Sequence, residues 1–451
     1  MRPFISLKPI EQRINGEGLL IDAVPLADIL ALEKTPIYVT SLNAVAQRAS
    51  LYKQALNLHF QNNEVFYAMK ANFAKPIIET IHKVGIGIDI VSIGEWRQAI
   101  ACGVQGNKIC FAGVGKKEKE WKETILGGLG YLSVEHLSEL DDILDFLSKQ
   151  DQQVRNKLLI SLRLNPAVEV KTHPHLKTGA LNSKFGILFE HFNEWFVAKK
   201  DQFENKELFK QWISPLKGIH VHIGSQLMEN TIFSLVSLKI LECAQFLYEN
   251  EVYINHIDFG GGLGVSQNGV SENGTDITNH VNLICTSFKK ETSHYPALQS
   301  YWQNDFSKLF VCMEPGRSIV ASSTIFITKV LYEKRNSTEN LFCYVDGAMN
   351  DFPRPSIYGA VHHSELINFV NNENNHSNIN SKFKKWNIVG PVCESGDFLA
   401  KDALLPDITK GDVLAFFEAG AYCRSMASQY NLRDLPAEIF VKDGKISAII
   451  N

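Results

Sequence analysis

The sequence predicts an α/β protein in which a (β/α)8 barrel of the TIM type is joined to a C-terminal all-β domain. From about Val65 to Ser318, short apolar strand patterns alternate with helical patterns, and eight candidate strands can be counted. Eight parallel strands are the number that closes such a barrel. After Ser318 the strand patterns continue between turn residues, with little helical periodicity. An open, doubly wound sheet is the alternative for the first region.

The barrel prediction depends on the following strand stretches. They are VFYAMK, IGIDIVS, KICFAG, GYLSVE, LLISLRLNP, GIHVHIGS, INHIDFGGG and FVCMEPGRS. Several are followed by a stretch with apolar residues at helical spacing, such as KPIIETIHKVG after the first and HLSELDDILDFLSK after the fourth. This alternation favours parallel strands that are joined by helical crossovers.

The length of 451 residues favours two domains, because one core rarely spans so long a chain. We expect residues 41–318 to form the barrel and residues 319–451 to form the C-terminal β domain. Residues 1–40 are short and strand-like, and we expect this N-terminal segment to join the β domain. The polar stretch 371–382 is expected to be a loop without chemistry. The stretch 266–280 is expected to be an inert loop, with a lid as the alternative.

The composition excludes several classes of protein. A formal net charge of -4, with 45% hydrophobic and 21% charged residues, gives no sign of a nucleic-acid partner or of a basic membrane-binding face. No apolar run is long enough to span a bilayer, and the N-terminus has no signal-peptide core. The eight cysteines form no CxxC pair and have no zinc-site spacing. We therefore expect a cytoplasmic protein without a metal ion.

Residues that can carry chemistry follow the candidate strands. They are Lys70, Asp89, Arg163, His222, Ser225, Gly260, Gly261, Gly262, Glu314, Gly316 and Arg317. In a barrel the carboxyl ends of the strands meet at one face, where active sites are built. Taken singly, most have a simpler explanation: a lysine at a strand end is usually solvated, a glycine triplet is usually a turn, and one of His220 and His222 is expected in the core. Their joint placement favours a shared site.

The residue types in this set favour pyridoxal 5'-phosphate (PLP) as cofactor. The amine of Lys70 can form a Schiff base with an aldehyde. The glycine-rich turn and the EPGR stretch follow strands seven and eight, where many barrels bind phosphate. Glu314 could keep a pyridine nitrogen protonated, and the flat ring of His222 could stack on the cofactor.

The chain resembles the PLP-dependent decarboxylases with an alanine-racemase-like barrel, and among them it is most similar to the diaminopimelate decarboxylases. The motifs that carry the resemblance include YAMKAN, GIDIVSIGEW, HIGSQL, DFGGGLG, EPGRSIVA, DGAMNDFPRPSIYGA, GPVCESGDFLAKD and GAYCRSMASQYN. They occur in the expected order from Thr35 almost to the C-terminus. One departure is Cys423-Arg424 after GAY, where the family often has a small residue.

The resemblance implies a role for each matching residue. Lys70 would carry PLP, His222 would stack on its ring, and Glu314 would pair with the pyridine nitrogen. Ser225, the glycine turn and Gly316 would hold the phosphate, and Asp89, Arg163, Arg317 and Tyr422 complete the expected cofactor-binding set. Arg317, Arg354, Tyr358, Glu394 and Tyr422 would bind the substrate, with the arginines on its distal carboxylate and Glu394 on its distal ammonium. Cys393 would be the catalytic acid.

The activity implied is decarboxylation of meso-2,6-diaminopimelate to L-lysine and CO2, the last step of lysine biosynthesis, by a homodimer that shares its active sites. The nearest alternative is a decarboxylase of the same fold that acts on ornithine, arginine or a carboxylated polyamine. A racemase would need a second base and would not need the CES sequence at Cys393. A PLP-binding protein without turnover would be expected if Lys70 or Cys393 were replaced, and both are present. A purely structural barrel would leave Lys70, Glu314 and Arg317 unexplained.

Overall fold

The computed structural model describes residues 4–7, 18–168, 183–225, 232–266, 276–337, 340–368 and 383–451. The chain divides into two compact units. The barrel unit comprises Arg48–Gly264 and Asn273–Gly316, and the β unit comprises Met1–Gln47, Val265–Glu272 and Arg317–Asn451. The predicted loop 371–382 and most of the loop 266–280 lie outside the described residues.

The barrel unit contains eight parallel strands that close on themselves. In chain order they are Asn62–Ala68, Gly87–Ile90, Ile109–Phe111, Tyr131–Val134, Leu159–Asn165, Leu216–His220, His256–Asp258 and Phe310–Met313. Each strand pairs with the next, and the last pairs with the first. Every predicted strand stretch overlaps one of these strands. The predicted barrel is therefore confirmed, and the open sheet is wrong. A short further strand, Ile187–Leu188, pairs with the fifth.

Helices connect the strands of the barrel as the sequence pattern predicts. Up to residue 316 the α-helices are Leu26–Leu30, Leu42–Asn57, Lys75–Val84, Ile93–Ala101, Glu118–Leu126, Leu137–Ser148, Gln152–Lys157, Phe189–Lys200, Lys206–Ile213, Phe233–Glu249, Ile277–Thr292 and Pro296–Tyr301. The helix Lys75–Val84 shows why they form: Pro76 lies in its first turn, where no N–H is needed. Gly85 ends it in a left-handed conformation that suits glycine.

The barrel interior is packed with side chains. Tyr131 and Phe310, the first residues of their strands, stack with ring centroids 5.7 Å apart, and Phe66 meets Tyr131 edge-on at 4.8 Å. Polar residues are also buried inside, including His220 and His256. Because the interior is filled, the chemistry must take place at the strand ends.

The β unit contains a nine-stranded sheet. Its strands are Ile37–Ser41, Thr324–Arg335, Leu341–Val345, Ser364–Asn368, Lys384–Val389, Phe398–Leu405, Val413–Phe416, Ala437–Lys442 and Lys445–Ile450. A three-stranded sheet, Ile5–Leu7, Leu19–Ile21 and Val24–Pro25, precedes it, and two short helices, Arg317–Val320 and Arg354–Tyr358, accompany it. Strand Ile37–Ser41 pairs with both Thr324–Arg335 and Ala437–Lys442, so this strand is part of the sheet that the C-terminal strands form.

Side chains of strand Ile37–Ser41 contribute to two separate hydrophobic clusters of the β unit. Tyr38 packs in a cluster with Phe326 and Trp386, whereas Ile37 and Val39 pack in another. Successive side chains of a strand point to opposite faces, so the sheet buries both of its faces. Within the described part of the chain, no helix combines the length and the apolar character needed to cross a membrane.

Candidate active site

Lys70 lies just beyond the end of the first barrel strand, in the short 3-10 turn Met69–Ala71. Its Nζ atom is 3.3 Å from Oδ2 of Asp89, and 39% of its side chain is exposed. Asp89 lies on the neighbouring strand and is fully buried. Its other oxygen, Oδ1, has no hydrogen-bond partner among the residues that the structure describes. The end of the first strand thus places an accessible amine beside a buried carboxyl group.

Glu314 follows the eighth strand and is held from inside the barrel. Its Oε2 atom is 3.2 Å from Nε2 of His220, and its Oε1 atom accepts a hydrogen bond from the Cys110 thiol at 3.5 Å. The other ring nitrogen of His220, Nδ1, is hydrogen-bonded to Ser133 Oγ at 2.6 Å. Side chains of the third and sixth strands therefore contact the two carboxylate oxygens.

Three buried carboxyl groups lie close together, and their environments favour different protonation states. Burial and the charge of Glu314 raise the pKa of Asp89 above its ordinary value, and the same two causes raise the pKa of Asp258. Burial also opposes the charge of Glu314, but His220 and Lys70 hold its pKa below the ordinary value. Glu314 is therefore the carboxyl group of the three that keeps its negative charge.

His222 is tied to the glycine turn that follows the seventh strand. Its Nδ1 atom accepts a hydrogen bond from the backbone N–H of Gly261 at 3.0 Å. Burial, together with the cations Arg163 and Lys70, holds the pKa of His222 well below the usual range. The imidazole is therefore neutral and has a fixed orientation.

The glycine turn leaves no room for side chains. Gly260 has a φ of +63°, and a Cβ there would lie 2.7 Å from His222 Nδ1. A Cβ on Gly261 would lie 2.3 Å from the backbone oxygen of Glu314. The N–H of Gly260 donates to Asp258 Oδ1 at 2.8 Å. The turn, His222 and Glu314 thus form one rigid unit.

The remaining predicted residues of the barrel unit have other neighbours. Gly316 packs against Ala68, which a Cβ at 316 would approach to 2.9 Å. Arg163 is buried, pairs with Glu135 and lies over the ring of Phe185 at 4.9 Å. Ser225 lies beyond the sixth strand, at the end of a described range.

These residues fit PLP. The group has an accessible amine at Lys70, a charged carboxylate at Glu314 and a flat neutral ring at His222, together with a close backbone turn of glycines. The aldehyde of PLP reacts with an amine, and its pyridine nitrogen pairs with a carboxylate. Its aromatic ring stacks on a flat side chain, and its phosphate is bound by the backbone of a glycine turn.

The ligand atoms of His220, Asp258 and Glu314 also lie within 4.8 Å of one another, a spacing that an ion could bridge.

A second group of predicted residues lies in the β unit. The guanidinium of Arg317 lies over the ring of Tyr422, 4.8 Å from its centroid. Burial and the nearby charge of Arg354 lower the pKa of Arg317 to about 10. Arg354 is also buried, and its Nη1 atom donates to Nε2 of His362 at 3.0 Å. Two buried cations this close favour the binding of an anion.

The backbone fixes His362 in the form that can accept this hydrogen bond. Its Nδ1 atom lies 2.9 Å from the carbonyl oxygen of Phe417, to which it donates. Burial and then Arg354 lower the pKa of His362 to about 3, so the ring is neutral. His362 therefore holds the Arg354 side chain in place by accepting a hydrogen bond from its Nη1 atom.

The two departures after the GAY motif have different neighbours: the Cys423 thiol lies near Arg354 and Arg317, whereas Arg424 contacts other groups. The Nε atom of Arg424 donates to the Pro436 carbonyl at 3.1 Å and lies 3.7 Å from Glu438 Oε2. Cys423 is buried, and burial raises the pKa of its thiol to about 12. The hydroxyl of Tyr358 lies 3.9 Å from the sulfur of Met426.

The CES sequence lies in an exposed loop, and hydrogen bonds to the side chain of Asp397 hold the backbone next to it. The side chain of Asp397 accepts hydrogen bonds from the backbone of Met349 at 2.7 Å and of Val392 at 2.9 Å. Cys393 and Glu394 are both exposed. The two predicted side chains are therefore displayed at the surface of this chain.

Several buried residues that contact the site residues were not predicted from the sequence. His220 is in the core, as expected for one of the two histidines, but it also contacts Glu314. Ser133, Cys110, Asp258 and His362 were not singled out. The HVH pattern was the only signal for His220, since residues two apart in a strand share a face.

Comparisons with known proteins match this chain over most of its length. Residues 42–321 match the family model described as "Pyridoxal-dependent decarboxylase, pyridoxal binding domain". The diaminopimelate decarboxylase of Aquifex aeolicus is 34% identical, over 96% of this chain and 93% of that protein. A crystal structure of the Helicobacter pylori diaminopimelate decarboxylase complexed with L-lysine is 33% identical, with a TM-score of 0.77 over 93% of this chain and 94% of that one. The M. jannaschii enzyme in complex with L-lysine is 26% identical, with a TM-score of 0.80 over 99% and 94% of the two chains.

Proposed function

The chain belongs to the pyridoxal-dependent decarboxylases, and among them to the diaminopimelate decarboxylases, and we propose that it converts meso-2,6-diaminopimelate to L-lysine and CO2. The observation that carries the choice of substrate is the pair of buried guanidinium groups at Arg317 and Arg354. Diaminopimelate has a distal carboxylate, and L-lysine, ornithine and arginine have none.

PLP, when bound, withdraws electrons from the carbon atom that loses its carboxyl group. In our proposal the Nζ atom of Lys70 supplies the amine that holds the cofactor. Glu314 keeps a proton on the pyridine nitrogen, for which its retained negative charge is suited. His222 covers one face of the ring, and Gly260 with its two neighbouring glycines receives the phosphate.

Recognition of the distal end follows from the chemistry of the β unit. Arginine binds carboxylates through two parallel hydrogen bonds and is permanently charged. We assign the distal carboxylate to Arg317, Arg354 and Tyr358, and the distal ammonium to Glu394. A substrate without that carboxylate would lose its charged contacts with two buried cations, at a cost on the order of 3 kcal/mol or ~100-fold in preference.

The exposed CES loop fits a role in a neighbouring subunit. We assign the final protonation to the thiol of Cys393, and a contact with both cofactor and substrate to Tyr422. Because Cys393 and Glu394 are exposed in this chain, we propose a homodimer in which each subunit completes the other's site. We also place the enzyme in the cytoplasm, with residues 41–318 as barrel domain and residues 1–40 and 319–451 as β domain.

The test is a substrate panel with purified protein and added PLP. Meso-diaminopimelate, L-ornithine, L-arginine and a carboxylated polyamine are supplied in parallel, and the released CO2 and amine product are measured. The Lys70→Ala variant is the control. We expect L-lysine from diaminopimelate alone, and none from the variant.

Other outcomes discriminate among the alternatives. Turnover of ornithine, arginine or the polyamine would keep the fold and the cofactor but would reject the roles of Arg317, Arg354 and Glu394. Visible absorbance that depends on Lys70, without turnover of any substrate, would reject the enzyme assignment.

A further inference from the structure

A chain of three buried side chains leads from one barrel strand to the carboxylate of Glu314. Ser133 lies on strand Tyr131–Val134, and its Oγ atom is 2.6 Å from Nδ1 of His220. His220 ends strand Leu216–His220, and its Nε2 atom is 3.2 Å from Glu314 Oε2. The three residues are between 1% and 5% exposed. Neither Ser133 nor His220 has a role in the reaction proposed above.

We propose that His220 is a positioning residue for Glu314, and that Ser133 fixes His220 in turn. This inference rests on the proposed function, in which Glu314 pairs with the pyridine nitrogen of PLP. When the Ser133 hydroxyl donates to Nδ1, the ring proton of His220 is on Nε2, which lies 3.2 Å from the carboxylate but outside the angle of a hydrogen bond. Such support from behind a functional group fixes both its orientation and its protonation state.

The surroundings of Glu314 explain why this support is needed. Asp89 and Asp258 are buried near it, and each is shifted toward its neutral form. A buried carboxylate without a close positive or donating partner becomes protonated in the same way. A neutral Glu314 could not keep a proton on a pyridine nitrogen. His220 contacts the one member of the three that must stay charged.

The barrel also contains a matched arrangement that does not reach Glu314. His256 is buried, and its Nδ1 atom is 2.9 Å from Ser161 Oγ. Its Nε2 atom lies 3.2 Å from the Cys312 sulfur. Ser161 and His256 therefore repeat the serine–histidine pair, but the pair ends on a thiol. We expect substitution of His256 to disturb the core of the barrel to a similar degree without removing the His220 side chain that lies 3.2 Å from Glu314.

The experiment compares His220→Leu, His220→Gln, Ser133→Ala and the control His256→Leu in the full-length protein. Four quantities are measured: the dissociation constant for PLP, the visible spectrum of the bound cofactor, kcat and KM for diaminopimelate, and the unfolding temperature without cofactor. For His220→Leu we expect kcat to fall by about 10- to 100-fold, with little change in KM and an altered cofactor spectrum. His220→Gln, which keeps a donor near Oε2, should recover most of the activity, and Ser133→Ala should show a weaker loss.

The control separates positioning from stability. His220→Leu and His256→Leu should lower the unfolding temperature alike, while His256→Leu keeps the wild-type kcat and spectrum. Equal kcat values and spectra for the two leucine variants would overturn the inference. If the wild-type protein itself produces no L-lysine, the proposed function fails and the inference falls with it. A working wild type with an unaffected His220→Leu variant rejects the inference alone.

Discussion

Individual residues of the β unit favour an anionic ligand. The pKa of Arg317 is lowered to about 10 because its guanidinium is buried and lies near Arg354. The ring of Tyr422 and the neutral ring of His362 orient the two guanidinium groups. A carboxylate placed between the two arginines would relieve their mutual repulsion. In our proposal this positive charge receives the distal carboxylate of the substrate.

Replacing Arg354 by glutamine tests this explanation. We expect kcat/KM for diaminopimelate to fall on the order of 100-fold, since the distal carboxylate loses a charged, two-pronged partner. Steady-state kinetics measure the effect. Arg335→Gln, in which an exposed arginine of the same unit is changed, should retain wild-type kinetics. Equal values for the two variants would argue against carboxylate recognition by Arg354.

The buried carboxyl group of Glu438 is expected to make the stability of the protein depend on pH. Burial raises its pKa to about 7 in the folded protein, although Arg424 opposes the shift. The folded state therefore binds this proton more tightly than the unfolded chain, whose glutamates titrate near 4.3. The resulting stabilisation is complete below the unfolded pKa and is lost as the pH rises to about 7.

Glu438→Gln should thus stabilise the protein at pH 8 and change little near pH 4.5. The expected gain at pH 8 is about 4 kcal/mol, measured by urea denaturation at both pH values. Glu333→Gln, at an exposed glutamate of the same unit, is the matched control and should change stability by less than about 0.5 kcal/mol. Destabilisation at pH 8 would mean that the pairing with Arg424 outweighs the cost of burial.

At the scale of elements, the strands of the barrel are fitted to one another through small residues. Gly218 lies in strand Leu216–His220, where a Cβ would come within 2.3 Å of Ser161 Oγ and 2.6 Å of His256 Nδ1. The glycine thus admits the polar side chains of two neighbouring strands. Gly94, in helix Ile93–Ala101, is exposed, and a Cβ there would make an ordinary contact at 3.7 Å.

The two glycines should respond oppositely to alanine. Gly218→Ala should destabilise the protein by about 1–3 kcal/mol, because it overpacks the barrel interior. Gly94→Ala should stabilise it by roughly 0.5–1 kcal/mol, because alanine is the better helix former. Denaturant unfolding of both variants tests the pair. If Gly218→Ala left the free energy of unfolding unchanged, the neighbouring strands would be able to move apart at little energetic cost.

At the scale of the whole molecule, the proposed homodimer predicts complementation between two inactive variants. Lys70→Ala and Cys393→Ala remove groups that, in our proposal, different subunits contribute to one site. Dissociating and reassociating an equal mixture should restore roughly a quarter of the wild-type activity, since half of the dimers are hybrids with one intact site. Activity is measured as L-lysine release, beside each variant treated alone. No recovery from a verified mixture of hybrids would place both residues in a site within one subunit.

The sequence by itself determined the barrel and the residues at its strand ends. Hydrophobic pattern marks each strand, and parallel strands bring their carboxyl ends together whatever the details of packing. Lys70, Asp89, His222 and Glu314 could therefore be grouped from their positions alone. The strand-like pattern of residues 1–40 also predicted that this segment joins the β domain.

Only the tertiary structure decided which buried groups support the site and which keep their charge. His220 and Ser133 are separated by 87 residues in sequence, and His362 meets a carbonyl 55 residues away. Such contacts depend on the register between strands, which the pattern of one strand does not contain. The charge of Glu314 beside Asp89 and Asp258 likewise depends on distances of a few ångströms in a dry interior, where the electrostatic energy changes steeply with distance.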